Sequence, residues 1–143
     1  MPVTTVYLLD TNVLSEIRKK QQANKGVKKF IASVIKNGDE IFMSVITVGE
    51  IRRGIELLRH RNDVKQANQL DKWLGALLST YQDNILEIDQ DIAQLWGVLR
   101  APHAENALDK LIAATAVVHG LIVVTRNVSD FAGTGAEVFD PFE

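Results

Sequence analysis

The sequence predicts an α/β domain built on a mostly parallel sheet with an excess of helix. Three observations lead there. Short apolar runs read as strands: Val6-Tyr7-Leu8-Leu9, Ile41-Phe42-Met43-Ser44-Val45-Ile46 and Leu121-Ile122-Val123-Val124. Stretches of helical periodicity separate them, and the resulting order βαα βαα β αα β β forbids simple hairpins and implies parallel crossovers. Lastly, Asp10, Glu50 and Asp130 each follow such a run near a helix signal, and Asp109 opens a helical run. In a parallel open sheet all of these junctions lie on one edge, where such folds place their ligands.

Residues 3–9 are expected to form the first strand. Val13, Leu14 and Ile17, spaced near 3.6, then predict a helix from Thr11 to Lys20. After the loop Gln21–Gly26, Val27, Phe30, Ile31, Val34 and Ile35 mark a second amphipathic helix, stopped by Asn37-Gly38. Residues 40–46 are the second strand. From Thr47 to Arg59 the apolar positions 48, 51, 55 and 58 oppose Arg52, Arg53, Glu56 and Arg59, which is a helical pattern. A charged bend, His60–Asp63, leads into a helix carrying Leu70, Trp73, Leu74, Leu77 and Leu78. Ile85–Ile88 is a short third strand, and Ile92, Leu95, Trp96 and Leu99 place a helix before Pro102. Ala107–His119 forms the next helix, ended by Gly120. Leu121–Thr125 is the fourth strand, Val128–Phe131 a short turn or helix, and Glu137–Phe139 the last strand. There is no internal repeat, low-complexity tract or linker, so residues 1–143 are expected to be one domain.

Composition narrows the chemistry. The chain has no cysteine, which excludes disulfides, thiolate metal sites and a cysteine nucleophile, and is compatible with a reducing cytoplasm. A formal net charge of −2 argues against a protein that coats nucleic acid through a broad basic face. It leaves room for a nuclease, because clustered carboxylates bias the total. The start carries no basic segment of the signal-peptide kind, and the uncharged stretch Leu111–Thr125 is too short to span a bilayer. A soluble, cytoplasmic protein is expected.

Each of the four acids also has a purely structural explanation. Asp10 could cap the helix that follows it, although Asn12 could do so instead. Thr47-Val48-Gly49-Glu50 has the form of a capping box. Asn106 precedes Asp109 as a cap residue would, and an acid in a first helical turn is favoured by the dipole. Asp130 could cap or turn within Asn127-Val128-Ser129-Asp130. The helix after Asp109, however, is apolar on nearly every side, so its one carboxylate faces inward or into a cleft. Four like charges on one rim would repel and raise one another's pKa unless a divalent cation held them. Hard oxygen ligands with no His or Cys nearby point to Mg²⁺ or Mn²⁺.

Leu9-Asp10-Thr11-Asn12-Val13, Ser44–Ile51, Asp109–Ala116 and Thr125–Phe131 together resemble the PIN domain, and more narrowly its VapC or FitB type, the toxins of bacterial type II toxin-antitoxin pairs. The motifs run over nearly the whole chain. The resemblance implies a three-layer fold with a central five-stranded sheet flanked by helices, and a Mg²⁺- or Mn²⁺-dependent endoribonuclease. It implies an acidic catalytic and metal site of Asp10, Glu50, Asp109 and Asp130, with Asn12, Ser44, Thr125 and Asn127 as polar support. Family members usually form homodimers and are inhibited by a small VapB- or FitA-like antitoxin. In this chain Asn127 stands where some relatives carry the fourth acid, and the carboxylate falls three residues later, at Asp130. Asp140-Pro141-Phe142 replaces an Asn-Pro-aromatic ending, a change expected to be structural. The same sequence also admits a catalytically silent binding module, or a single-strand DNA nuclease of the same fold.

The remaining features read more plainly. His60, His103 and His119 are scattered, and catalytic roles are not expected of them; His119 before Gly120 suits a helix C-terminus. Arg52 and Glu56 form an i,i+4 surface pair, and Arg53 is assigned to the same surface. Arg126, beside the fourth motif, is the candidate contact for a substrate phosphate. Trp73, Trp96 and Phe30 lie on apolar stripes and are expected in the core or a dimer contact. The Lys19-Lys20 and Lys28-Lys29 pairs are expected on solvated helix faces.

Overall fold

The computed structural model describes residues 4–143; Val3, at the start of the first expected strand, lies outside them. Five strands pair into one sheet: β1 (Val6–Leu9), β2 (Glu40–Ser44), β3 (Ile85–Leu86), β4 (Ile122–Val124) and β5 (Val138–Phe139). Their order is β3-β2-β1-β4-β5, and every neighbouring pair is parallel. The helices are α1 (Thr11–Ile17), α2 (Lys25–Asn37), α3 (Val45–His60), α4 (Val64–Thr80), α5 (Gln90–Arg100) and α6 (Ala107–His119). Among the described residues no helix is long and apolar enough to cross a membrane.

Alternation along β1 explains the layers. Successive strand residues point to opposite faces. Leu9 joins an apolar cluster with Val13 and Leu14 of α1, Phe30 of α2, Ile55 of α3 and Leu74 of α4. Its neighbour Leu8 joins a second cluster with Ile112, Ala113 and Ala116 of α6, Val123 of β4 and Phe131. The sheet is therefore covered on both faces, as parallel sheets require. Residues Ile112–Ala116 of α6 are all buried, but the burial expected of its all-round apolar sequence stops there, since Leu108, Val117 and Val118 are exposed. Outside α6 lies α5, tied to it by Trp96, whose Nε1–H donates to the Ala107 carbonyl at 2.9 Å.

Boundaries differ from expectation where a polar cap overrides an apolar pattern. α1 stops at Ile17, and a short 3-10 turn, Lys20–Gln22, follows with Lys20 at φ 55°. α2 begins at Lys25, because the Asn24 side chain accepts from the N–H groups of Gly26 and Val27. β2 ends at Ser44 instead of residue 46, and Val45 and Ile46 already belong to α3. Their β-branched side chains read as strand, but the Ser44 hydroxyl accepts the Ile46 N–H at 3.0 Å and starts the helix. The expected capping box consequently does not form. Thr47 lies inside α3 with its hydroxyl buried and unpartnered, and Glu50 is carried further along the helix.

Candidate active site

Asp10 is the first residue past β1, and its backbone N–H still bonds the Val124 carbonyl of β4 at 3.0 Å. It stands where the strand order reverses, with β2 and β3 on one side and β4 and β5 on the other. That switch point is where open parallel sheets leave a crevice for ligands. The Asp10 side chain is 5% exposed. Its Oδ1 accepts the Thr11 N–H at 2.9 Å, so Asp10 is indeed the cap of α1. Its Oδ2 accepts the buried Thr125 hydroxyl at 2.9 Å and, at 3.4 Å, the Asn12 side-chain amide.

Asn12 and Thr125 build the frame around this carboxylate. The Asn12 amide donates to Thr125 Oγ1 at 3.1 Å, while its Oδ1 accepts the Arg126 N–H at 3.0 Å. Thr125 Oγ1 also accepts the Asn127 N–H at 3.0 Å. Asn12 thus serves as a tie between α1 and the loop after β4, and the cap falls to Asp10. One acid can be both cap and site residue because its two oxygens are divided between the tasks.

Glu50 reaches the same place from α3, half-buried, and accepts the Thr11 hydroxyl at 3.2 Å. Burial pushes its carboxyl above the ordinary range; the Thr11 bond opposes that and the Asp10 charge adds to it. Asp109, in the first turn of α6, is pushed up to about 6, first by burial and then by the charges of Asp10, Asp130 and Glu50. Asp109 therefore lies within electrostatic reach of all three other acids. Its capping explanation fails, since Asn106 occupies the cap position at φ 55° without any side-chain cap bond. Asp130 sits in the 3-10 turn Val128–Phe131, half-buried, with its backbone N–H on the Asn127 carbonyl.

The electrostatics of this cluster are uncompensated. Among the described residues no Lys, Arg or His lies within ion-pair distance of any of the four acids. Lys110, next in sequence to Asp109, is buried and turned away, donating to the carbonyls of His103 and Glu105. His60 and His119 fall in the last turns of α3 and α6, and His103 faces Glu105 at 3.8 Å. Among the described residues no three acids or histidines are close enough to form a ready-made ligand cage. The carboxylates repel, share an edge, and present only hard oxygen donors. That donor set fits Mg²⁺ or Mn²⁺ and does not fit a soft metal.

The supporting residues divide. Thr125 and Asn12 contact Asp10 directly. Ser44 is fully buried as the cap of α3, its hydroxyl taken up by the Ile46 N–H; Asn127 contributes its backbone N–H. Arg126 is exposed, with its guanidinium carbon 4.8 Å from the centre of the Phe142 ring. Sequence reasoning missed Thr11 as a partner of Glu50, although a hydroxyl directly after the strand-end acid was a usable signal.

A fully parallel five-stranded sheet with helices on both faces, with Asp10 at its switch point and Asp109 under the charges of the three other acids, defines a class. The PIN domain family matches residues 7–135, and the chain belongs to that family. Within it the chain is of the VapC/FitB toxin type. Toxin FitB of Neisseria gonorrhoeae (strain ATCC 700825 / FA 1090) is 35% identical, over 96% of this chain and 99% of its own. The VapC ribonuclease Y4jK of Sinorhizobium fredii (strain NBRC 101917 / NGR234) is 32% identical over the same shares. A crystal structure of FitAcB from Neisseria gonorrhoeae superposes with a TM-score of 0.79 at 33% identity, covering 96% of this chain and 98% of that one. A toxin-antitoxin complex from Klebsiella pneumoniae superposes at 0.64 with 30% identity, covering 96% and 98%.

Proposed function

We propose that this chain is a Mg²⁺- or Mn²⁺-dependent endoribonuclease, the toxin of a type II toxin-antitoxin pair, acting as a single cytoplasmic PIN domain that forms a homodimer. What supports this is that Asp10 stands at the sheet's switch point and Asp109 feels the charges of Asp10, Asp130 and Glu50, with no Lys, Arg or His among the described residues in ion-pair distance of any of the four. The ribonuclease named among the relatives supports RNA as substrate, and the Klebsiella complex supports a VapB- or FitA-like antitoxin as partner.

Asp10, Glu50, Asp109 and Asp130 would hold the ion. A bound Mg²⁺ or Mn²⁺ supplies an acidified water as nucleophile and charge stabilisation at the phosphate. The protein's own part is positional. Asp10 is immobilised by Thr11, Thr125 and Asn12, so one ligand is fixed before anything binds. Thr11 steers Glu50 toward it from α3, whose start Ser44 sets. Asp109 and Asp130 would complete the set, and the Asn127 N–H bonds Thr125 Oγ1 in the loop that leads to Asp130. Arg126 would contact a phosphate of the substrate. No side-chain nucleophile is needed, consistent with a chain lacking cysteine.

The test is cleavage of a single-stranded oligoribonucleotide by thoroughly chelated protein, with Mg²⁺ or Mn²⁺ then restored. Activity should vanish and return, and Asp10→Asn and Asp109→Asn should each lose at least about a hundredfold, as removal of a charge-stabilising group does. Equal cleavage by these variants would defeat the proposal. Comparable cleavage of single-stranded DNA would instead make the chain a DNA nuclease, and a complete absence of cleavage a binding module.

A further inference from the structure

Among the described residues Arg126 makes no salt bridge, yet it is held at two points. Its backbone N–H donates to Asn12 Oδ1, part of the frame around Asp10. Its guanidinium lies over Phe142. The segment carrying that ring is itself clasped against the start of α2. The Glu143 N–H donates to Asn24 Oδ1 at 3.1 Å, the Asn24 side-chain amide donates to the Glu143 carbonyl at 3.0 Å, and the Asn24 N–H donates to Glu16 Oε2 at 2.7 Å. The Phe142 N–H donates to Asp140 Oδ1 at 2.9 Å. Gly26 makes the close approach possible, since a Cβ there would stand 2.0 Å from the Pro141 carbonyl oxygen.

A cation parked on an aromatic face keeps its N–H donors, whereas a carboxylate partner would occupy the guanidinium fork. The nearby acid, Glu16, is already engaged by Lys19 and Asn24. Among the described residues the Arg126 guanidinium makes no ion pair with Asp10, Glu50, Asp109 or Asp130, and its charge helps to lower the Glu16 carboxyl. Anchored beside Asp10 by its backbone and on the Phe142 ring by its side chain, it suits a phosphate flanking the one that reacts. We propose that Phe142 is a positioning residue, seated by Asn24 and Gly26, that holds Arg126 beside the acidic site as a phosphate contact for single-stranded nucleic acid. This rests on the nuclease reading above.

The experiment measures affinity for a fluorescent phosphorothioate oligoribonucleotide by anisotropy, beside kcat and KM on the cleavable form and the Arg126 Nε–H resonance by NMR. Phe142→Leu should weaken binding about two- to fivefold, the range of an exposed cation–π contact, with kcat unchanged. Arg126→Gln should lower the log–log salt slope by about 0.7, one phosphate contact on a single strand. The double variant should bind no worse than Arg126→Gln alone, and Phe142→Trp should restore parental affinity. The Nε–H resonance should lose its ring-current displacement in Phe142→Leu and keep one in Phe142→Trp. If Phe142→Leu melts early, Gly26→Ala, which displaces the tail with the ring intact, should reproduce its weakening. Additive losses in the double variant, a resonance unmoved by Phe142→Leu, or a fall in kcat at constant KM would overturn the inference. A parent that cleaves nothing defeats the nuclease reading; Arg126→Gln binding RNA as tightly as the parent defeats this inference alone.

Discussion

At the scale of residues, Asp10 and Asp109 show two ways of keeping a carboxylate in a half-dry site. Asp10 is satisfied by hydrogen bonds, and Thr125 is the residue that closes that arrangement. Removing the Thr125 hydroxyl leaves Asp10, Asn12 and the Asn127 N–H each short of a partner. Thr125→Ala should therefore cost about 1–3 kcal/mol in chemical denaturation, and Thr125→Ser much less. Asp109 is not satisfied. Because its folded pKa is raised to about 6 from 3.8, the folded state holds the proton more tightly than the unfolded one. In metal-free protein the resulting cost is absent below pH 3.8, grows as pH rises toward 6, and is full above it. Asp109→Asn should accordingly stabilise chelated protein at pH 7.5 by about 1–2 kcal/mol after allowing for solvent screening, seen as a higher melting temperature, and change it little at pH 4. Both acids were legible in the sequence, one because an apolar run ends on it, the other because an all-apolar helix leaves it nowhere to point. Glu50 was found by the strand-like run upstream of it, and the capping box that competed with that reading does not form. The segment that seats Phe142 was illegible, because Asn24 and Glu143 meet across a separation of 119 residues.

At the scale of elements, the start of α3 decides where Glu50 lies. Ser44 is fully buried and supplies the side-chain cap of that helix, so Ser44→Ala should cost about 1 kcal/mol. The far end of α3 is tied to α4 by charge. Asp71 accepts from Arg52 at 2.9 Å and Arg59 at 2.8 Å, and these guanidinium bonds hold its carboxyl well below the usual range. A lowered acid contributes stability above its unfolded value of 3.8 and loses it as pH falls. Asp71→Asn should therefore lower the melting temperature slightly at pH 7, less below pH 3.8, and less again in ~1 M salt. The helical periods were readable because each helix packs one stripe against the sheet. The helix ends were less so, since a single hydroxyl at Ser44 outweighs the strand propensity of the two residues after it.

At the scale of the molecule, function follows from strand order. With β1 at the centre, the crossovers leave in opposite directions from β1 and β4, Asp10 stands at the switch point between them, and Asp109 feels the charges of Asp10, Asp130 and Glu50. Alternation and crossover lengths made a parallel sheet readable from the sequence; the order β3-β2-β1-β4-β5 was not, because nothing local encodes which strands become neighbours. The proposed function requires these four acids to act as one cation site. Titration calorimetry of Mn²⁺ into the protein and its Asp109→Asn variant tests it most directly. The parent should bind, with a heat at pH 6 that depends on the buffer as Asp109 releases its proton, and the variant should bind far more weakly without that release. Equal Mn²⁺ affinity in the two proteins would contradict the claim.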